Sequence, residues 1–134
     1  MMDAAALSSL ALRTAAAFPA VVQSQPFGDD TEVFKVVGKV FAIVNTSPVD
    51  AAAENTRAGG ARVTLKCAPP HALSLVGAQP SVIPGYHMNK QHWISIVAGD
   101  DVTQTLVEDL IGNSYDIVVS LLPRAKRPLD PAAR

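Results

Sequence analysis

Residues 81–96 carry the densest set of chemically able side chains in this chain. After a Pro84-Gly85 turn come Tyr86, His87, Asn89, Lys90, His92 and the single tryptophan, Trp93. Histidine is the side chain that changes charge near neutral pH, so two of them beside an ammonium and an amide suit pH-sensitive recognition of an anion. A second set lies on strands: Lys35, Arg62, Thr64, Lys66, Trp93 and Ser95 fall on positions that the strand patterns turn away from the core. A basic surface with one aromatic ring is what a single-strand or phosphate-binding platform uses, because cations track the backbone while the ring stacks on a base. The candidate nucleic-acid or anion-binding residues are therefore Lys35, Arg62, Lys66, His87, Lys90, His92 and Trp93. Each also has a purely structural reading, in which the cations keep a sheet face wet, Trp93 packs on a loop or tail, and Pro84, Gly85 and Asn89 form a tight turn above a core Tyr86.

Other chemistry is poorly supplied. Cys67, His71, His87 and His92 are ligand types that zinc and iron accept, but Pro69-Pro70 separates the first two and no CxxC or HExxH occurs, so no metal is expected. GxSxG, P-loop and GxGxxG motifs are missing as well, and no cofactor is expected. Cys67 lies on the inward side of its strand and reads as a small buried hydrophobe rather than a nucleophile. The chain is thus expected to be non-enzymatic.

The 134 residues suffice for one domain, which should bury roughly two thirds of the surface exposed by the unfolded chain. A hydrophobic share of 49% supports a real core, and a net charge of -1 excludes a strongly basic nucleic-acid binder. The charge is nonetheless uneven. Residues 55–99 contain no acid but hold Arg57, Arg62, Lys66, Lys90 and all three histidines, whereas residues 100–116 hold five acids and no base. One cysteine permits no internal disulfide and fits a reducing compartment. Asp3 and Arg13 break the Ala-rich N-terminal run, so neither an export signal nor a spanning helix is expected, and the protein is placed in the cytoplasm without a membrane partner.

The elements that must position these residues follow from periodicity. A helix is predicted over residues 3–18, capped by Asp3 and stopped by Pro19, followed by a loop over 23–30. Residues 32–44 read as a hairpin with a type II′ turn on Gly38-Lys39, pairing Val36 with Phe41, Lys35 with Ala42 and Phe34 with Ile43. Phe34, Val36, Phe41 and Ile43 would then face the core, while Val33, Val37, Val40, Ala42 and Val44 make an apolar outer side that meets a partner or the chain's own tail. Residues 45–60 form a long polar connection. Ala61, Val63, Leu65 and Cys67 alternate with a solvent-exposed Arg62, Thr64 and Lys66, and a short helix begins at Pro69-Pro70 and ends near Gly77. A strand over 92–98 turns Ile94, Ile96 and Ala98 inward. Asp100-Asp101 caps a helix that breaks at Gly112-Asn113-Ser114, with Ser114 capping a second helix up to Pro123. These elements make an α+β domain over residues 1–123, ordered α-β-β-β-α-β-β-α with helices on one face of an antiparallel sheet, and a flexible basic tail over 124–134.

Specific words coincide with that order. Pro26-Phe27-Gly28, Val33-Phe34-Lys35-Val36 with Gly38-Lys39-Val40-Phe41, Leu65-Lys66-Cys67, Pro84-Gly85-Tyr86-His87-Met88-Asn89-Lys90 with His92-Trp93, and Leu110-Ile111 with Ser114-Tyr115-Asp116 together resemble the MmcQ/YjbR family over residues 3–127. The resemblance implies a fold similar to CyaY-like and secretion-chaperone-like α+β proteins, in a bacterial cytoplasmic protein that binds DNA. The chain departs from the family pattern in its long 45–60 connection. Two expectations result. One is binding of DNA or another nucleic acid through an open sheet face, the 84–90 loop and the basic tail. The other is a protein-interaction or chaperone-like module that buries the outer valines and Trp93 against a partner, in a monomer or weak dimer.

Overall fold

A computed structural model of the chain describes residues 2–26, 28, 30–46, 61–85 and 92–128. The described elements are α1 (Ala4–Ala16), β1 (Val21–Ser24), β2 (Thr31–Val36), β3 (Lys39–Asn45), β4 (Arg62–Lys66), α2 (Pro69–Ala78), β5 (Val82–Pro84), β6 (Trp93–Val97) and α3 (Gln104–Ser120), with a final 3-10 turn at Arg124–Lys126. The strands form one antiparallel sheet in the order β1-β2-β3-β4-β6-β5. The α+β class and the expected order of elements are present, and β1 is added at the edge. Ala20, at φ +61°, turns the chain after Pro19 so that the β-branched pair Val21-Val22 runs back along β2.

One side of the sheet is covered by α1 and α3, which pack on each other and on β2, β3 and β4, while α2 lies against β5. Asp3 caps α1 as expected, its Oδ1 accepting from the Ala6 N–H at 2.8 Å, and Leu7, Leu10, Ala11 and Ala15 are buried beneath it. Val63 and Leu65 of β4 and Ile94 and Ile96 of β6 face these helices, as their alternation requires. An aromatic group closes the core. Phe18 stacks on Tyr115 with centroids 4.6 Å apart, and Phe41 meets Tyr115 edge-on at 5.2 Å. The Tyr115 hydroxyl donates to the Pro19 carbonyl at 2.7 Å.

The hairpin differs from expectation in register. Its turn is Val37-Gly38, with φ of +49° and +78°, a type I′ turn that pairs Val36 with Lys39 and Lys35 with Val40. The pairing then slips, so that Phe34 lies opposite Ala42 and Phe41 is the extra residue of a β-bulge. The bulge turns Phe41 and Ala42 to the same side, and both are fully buried with Phe34 and Val36. Ile43 consequently faces outward and Val44 inward, the reverse of the expected assignment. The proposed outer valine face is therefore not one surface: Val44 belongs to the core and Val33 is only 2% exposed.

The C-terminal helix also differs. Asp100 and Asp101 do not cap it. Thr103 does, its hydroxyl accepting from the Leu106 N–H at 3.1 Å, while Asp101 accepts from the Ser81 N–H at 3.0 Å and the Ser81 hydroxyl at 2.5 Å. The helix continues through Gly112-Asn113-Ser114 without a break. Tertiary packing overrides the local signal here, because Ser114 has a partner in the sheet. Its hydroxyl accepts the Lys66 N–H at 2.9 Å and donates to the Phe41 carbonyl at 2.5 Å. Beyond α3, Arg127 donates to the Ser120 and Leu122 carbonyls at 3.0 and 3.1 Å, so the start of the expected tail is tied to the helix end. Among the described residues no helix is long and apolar enough to cross a membrane.

Ser114→Ala removes one buried partner from both the Lys66 N–H and the Phe41 carbonyl. It should lower unfolding stability by about 1–3 kcal/mol in urea titration, and a change within the error of the measurement would contradict the bridging role.

Candidate nucleic-acid interface

Strands β4 and β6 pair Lys66 with Trp93, Thr64 with Ser95 and Arg62 with Val97. Because Val63, Leu65, Ile94 and Ile96 fill the core side, these six residues all belong to the sheet side away from α1 and α3. The Lys66 Nζ lies 5.6 Å from the centroid of the Trp93 ring, a cation–π contact, and both residues are half-buried. Exposed His92 adjoins them, and its carbonyl accepts from the Cys67 N–H at 2.8 Å.

Gly85 fixes the far side of Trp93. Its N–H donates to the Trp93 carbonyl at 2.9 Å, and a Cβ at this glycine would stand 2.7 Å from the Trp93 Cβ, closer than real side chains approach. Glycine is needed here for close approach, since its φ is unexceptional.

The register places Lys35 at the same end of the sheet. Val22 pairs with Lys35 and Lys35 with Val40, while the Ala42–Leu65 pair sets Phe41 level with Lys66, which in turn pairs with Trp93. Lys35, Lys66 and Trp93 therefore form an oblique row at this end of the sheet, with Lys35 one residue further along than the level of Lys66 and Trp93. The two lysines are separated by β3, which puts their backbones about 10 Å apart at ordinary strand spacing.

The middle of this side does not match the expected open, wet face. Thr64 and Ser95 are 3% and 0% exposed and share a hydrogen bond of 2.9 Å, and Arg62, expected in solvent, is 5% exposed. Arg62 lies toward the other end of β4, beside Asn45 and Val97, away from the lysine row. His87 and Lys90 lie outside the described residues, as do Tyr86, Asn89, residues 47–60 and residues 129–134. Of the predicted site residues the structure thus gathers Lys35, Lys66, His92 and Trp93, and it separates Arg62 from them.

Three residues outside the predicted site also take part. Val22 and Val40 flank Lys35, which only the strand pairing reveals. Ser114 holds the Lys66 backbone from 48 residues away. On the helix side, Arg13, Thr14, Ala17, Phe18 and Glu108 line a shallow groove of about 350 Å³ between α1 and α3. Among the described residues no three His, Cys, Asp or Glu side chains converge as a metal site requires.

A family model described as YjbR matches residues 16–117. The chain belongs to the YjbR family. It is 36% identical to the Escherichia coli O157:H7 protein YbdF over 123 residues, covering 92% of this chain and 93% of that one. It is 34% identical to Escherichia coli K12 YjbR over 67 residues, which span 50% and 57% of the two chains. The crystal structure of a Deinococcus radiodurans protein with a DUF419 domain superposes with a TM-score of 0.71 at 28% identity, over 95% of this chain and 86% of that one. The YjbR match includes β2, β3, β4 and β6, so the whole lysine–tryptophan row except its origin in tertiary pairing falls within the family region.

Cys67, directly after the row, is 1% exposed, and burial pushes its thiol above the ordinary value against a smaller opposing effect of a backbone hydrogen bond at Ala68. The neutral thiol is thus favoured in the fold. Its contribution to stability is complete below the ordinary thiol value of about 8.5 and declines as pH rises through the higher folded value. Reaction with a disulfide reagent should be much slower in the native protein than in urea, and the stability difference between wild type and Cys67→Ala should shrink at alkaline pH. Equal native and unfolded reaction rates would overturn the assignment.

Proposed function

We propose that this YjbR-family protein is a non-enzymatic cytoplasmic nucleic-acid-binding protein whose contacts are made by the end of the sheet that carries Lys35, Lys66 and Trp93. The observation that supports this reading is the shared row, with the Lys66 ammonium 5.6 Å from the only indole ring. Cations at this spacing meet phosphates, and the ring supplies a face for a base. His92 borders the row, and His87 and Lys90, close in sequence after Gly85, are additional candidates.

Few cations are in play, since Arg62 is buried, so the salt dependence should be shallow. Two to four phosphate contacts give a slope of log K against log salt of roughly -1.5 to -3. Fluorescence anisotropy with short labelled DNA and RNA should show binding that weakens with that slope and is reduced in Lys35→Ala/Lys66→Ala. Affinity no greater than that of a neutral control protein would end the proposal.

A protein-interaction reading draws on a different observation. Val22 is 63% exposed on edge strand β1, and Val37, at the hairpin turn, is 41% exposed. A strand that pairs on one side alone among the described residues, with apolar neighbours, is a template for another chain. If this reading holds, light scattering should show a concentration-dependent dimer or a captured partner that Val22→Lys removes; a strict monomer with no partner would refute it.

A further inference from the structure

We infer that the ligand of the lysine–tryptophan row is single-stranded, with Trp93 stacking on one unpaired base while Lys66 and Lys35 hold phosphates to one side of it. This inference rests on the nucleic-acid reading above and narrows it.

The first argument is shape. The row crosses β1, β2, β3, β4 and β6 at one end of a sheet, so it presents a broad surface rather than a projecting helix or two-stranded ribbon. Duplex major grooves are read by helices or ribbons that fit their width of about 12 Å. A broad sheet surface meets instead a strand whose bases can turn toward it.

The second argument is the ring. In a duplex each base face is covered by its neighbours, so an indole in a strand has nothing to stack on without opening the helix. Trp93 is held for a fixed presentation: its backbone is paired to Lys66 on one side and clasped by Gly85 on the other, where no side chain fits. The Lys66 ammonium lies over the ring, 5.6 Å from its centroid, so a base stacking on that face displaces it sideways, toward the phosphate that the base carries.

The third argument is charge. The chain carries a net charge of -1, and Arg62 is 5% exposed at the other end of β4. Duplex binding without base contacts rests on neutralising many phosphates. Two lysines in the row neutralise few, so stacking must supply a large share of the affinity. Every base has a stacking face, so the preference should be for strandedness and only weakly for sequence.

Trp93 is the only tryptophan, which makes its emission a direct reporter. Full-length protein titrated with a mixed-sequence single strand should show quenched emission and should bind that strand at least about tenfold more tightly than the same sequence as duplex. Trp93→Ala should lose roughly 5- to 150-fold in single-strand affinity, by the usual worth of one stacked base. Trp93→Phe, which keeps a ring and guards against loss of folding, should recover most of it, whereas the duplex affinity should change little in either variant. Equal affinity for both forms, with unchanged emission, would overturn the single-strand assignment and leave nucleic-acid binding standing. Binding of neither form above a neutral control protein would overturn both.

Discussion

At the level of Phe41 and Lys66, where neighbouring strands of a sheet ordinarily exchange a direct bond, β3 and β4 instead share the hydroxyl of Ser114 from α3. One oxygen thereby joins two strands and a helix, accepting from one and donating to the other. A buried peptide group left without a partner is costly, so this bridge sets the height and rotation of α3 on the sheet. Much else depends on that placement. It holds Tyr115, the next residue, against Phe18 and Phe41, and through the Tyr115 hydroxyl it fixes Pro19, from which the chain turns into β1. The bulge that carries Phe41 inward is the strand side of the same arrangement.

Polar contacts elsewhere act at the margins of the fold. Glu32, 9% exposed, accepts from the Gln23 amide at 2.7 Å and from the Gln25 amide, fastening edge strand β1 and its exit to β2. Asp101 fastens Ser81 at the start of β5, beside Gly99, where a Cβ would collide with the Ser81 hydroxyl. Arg127 closes the end of α3. The apolar core supplies the bulk of the driving force, and these contacts select which strand ends and which helix ends lie together.

The same sheet has two unlike ends on its outer side. Toward Arg62 and Val97 it is buried, with Thr64 and Ser95 bonded to each other in between. Toward Lys66 and Trp93 it is half-open and cationic. Ser114 anchors the Lys66 backbone, so the residue that orders the core also holds the cation nearest the indole. The recognition proposed for this protein thus uses the end of the sheet that Ser114 ties to α3.

Local pattern in the sequence determined a good deal. Alternation alone put Val63, Leu65, Ile94 and Ile96 inward and so put Lys66 and Trp93 on the other side, because successive strand residues must point to opposite faces. Capping chemistry placed the start of α1 at Asp3. What only the tertiary structure decided was level, register and burial. Gly38-Lys39 and Val37-Gly38 are both locally acceptable turns that leave Phe41 inward, and the structure takes the second with a bulge at Phe41, which brings Ala42 and Val44 into the core and turns Ile43 out. Gly112-Asn113-Ser114 reads as a helix break until Ser114 finds partners 48 and 73 residues away. Arg62 and Lys66 are equivalent in the alternation, yet one is buried and the other half-open. Periodicity is a property of neighbouring bonds and is written in the chain; which strand end is covered, and which cations share a row, depends on contacts between segments far apart in sequence.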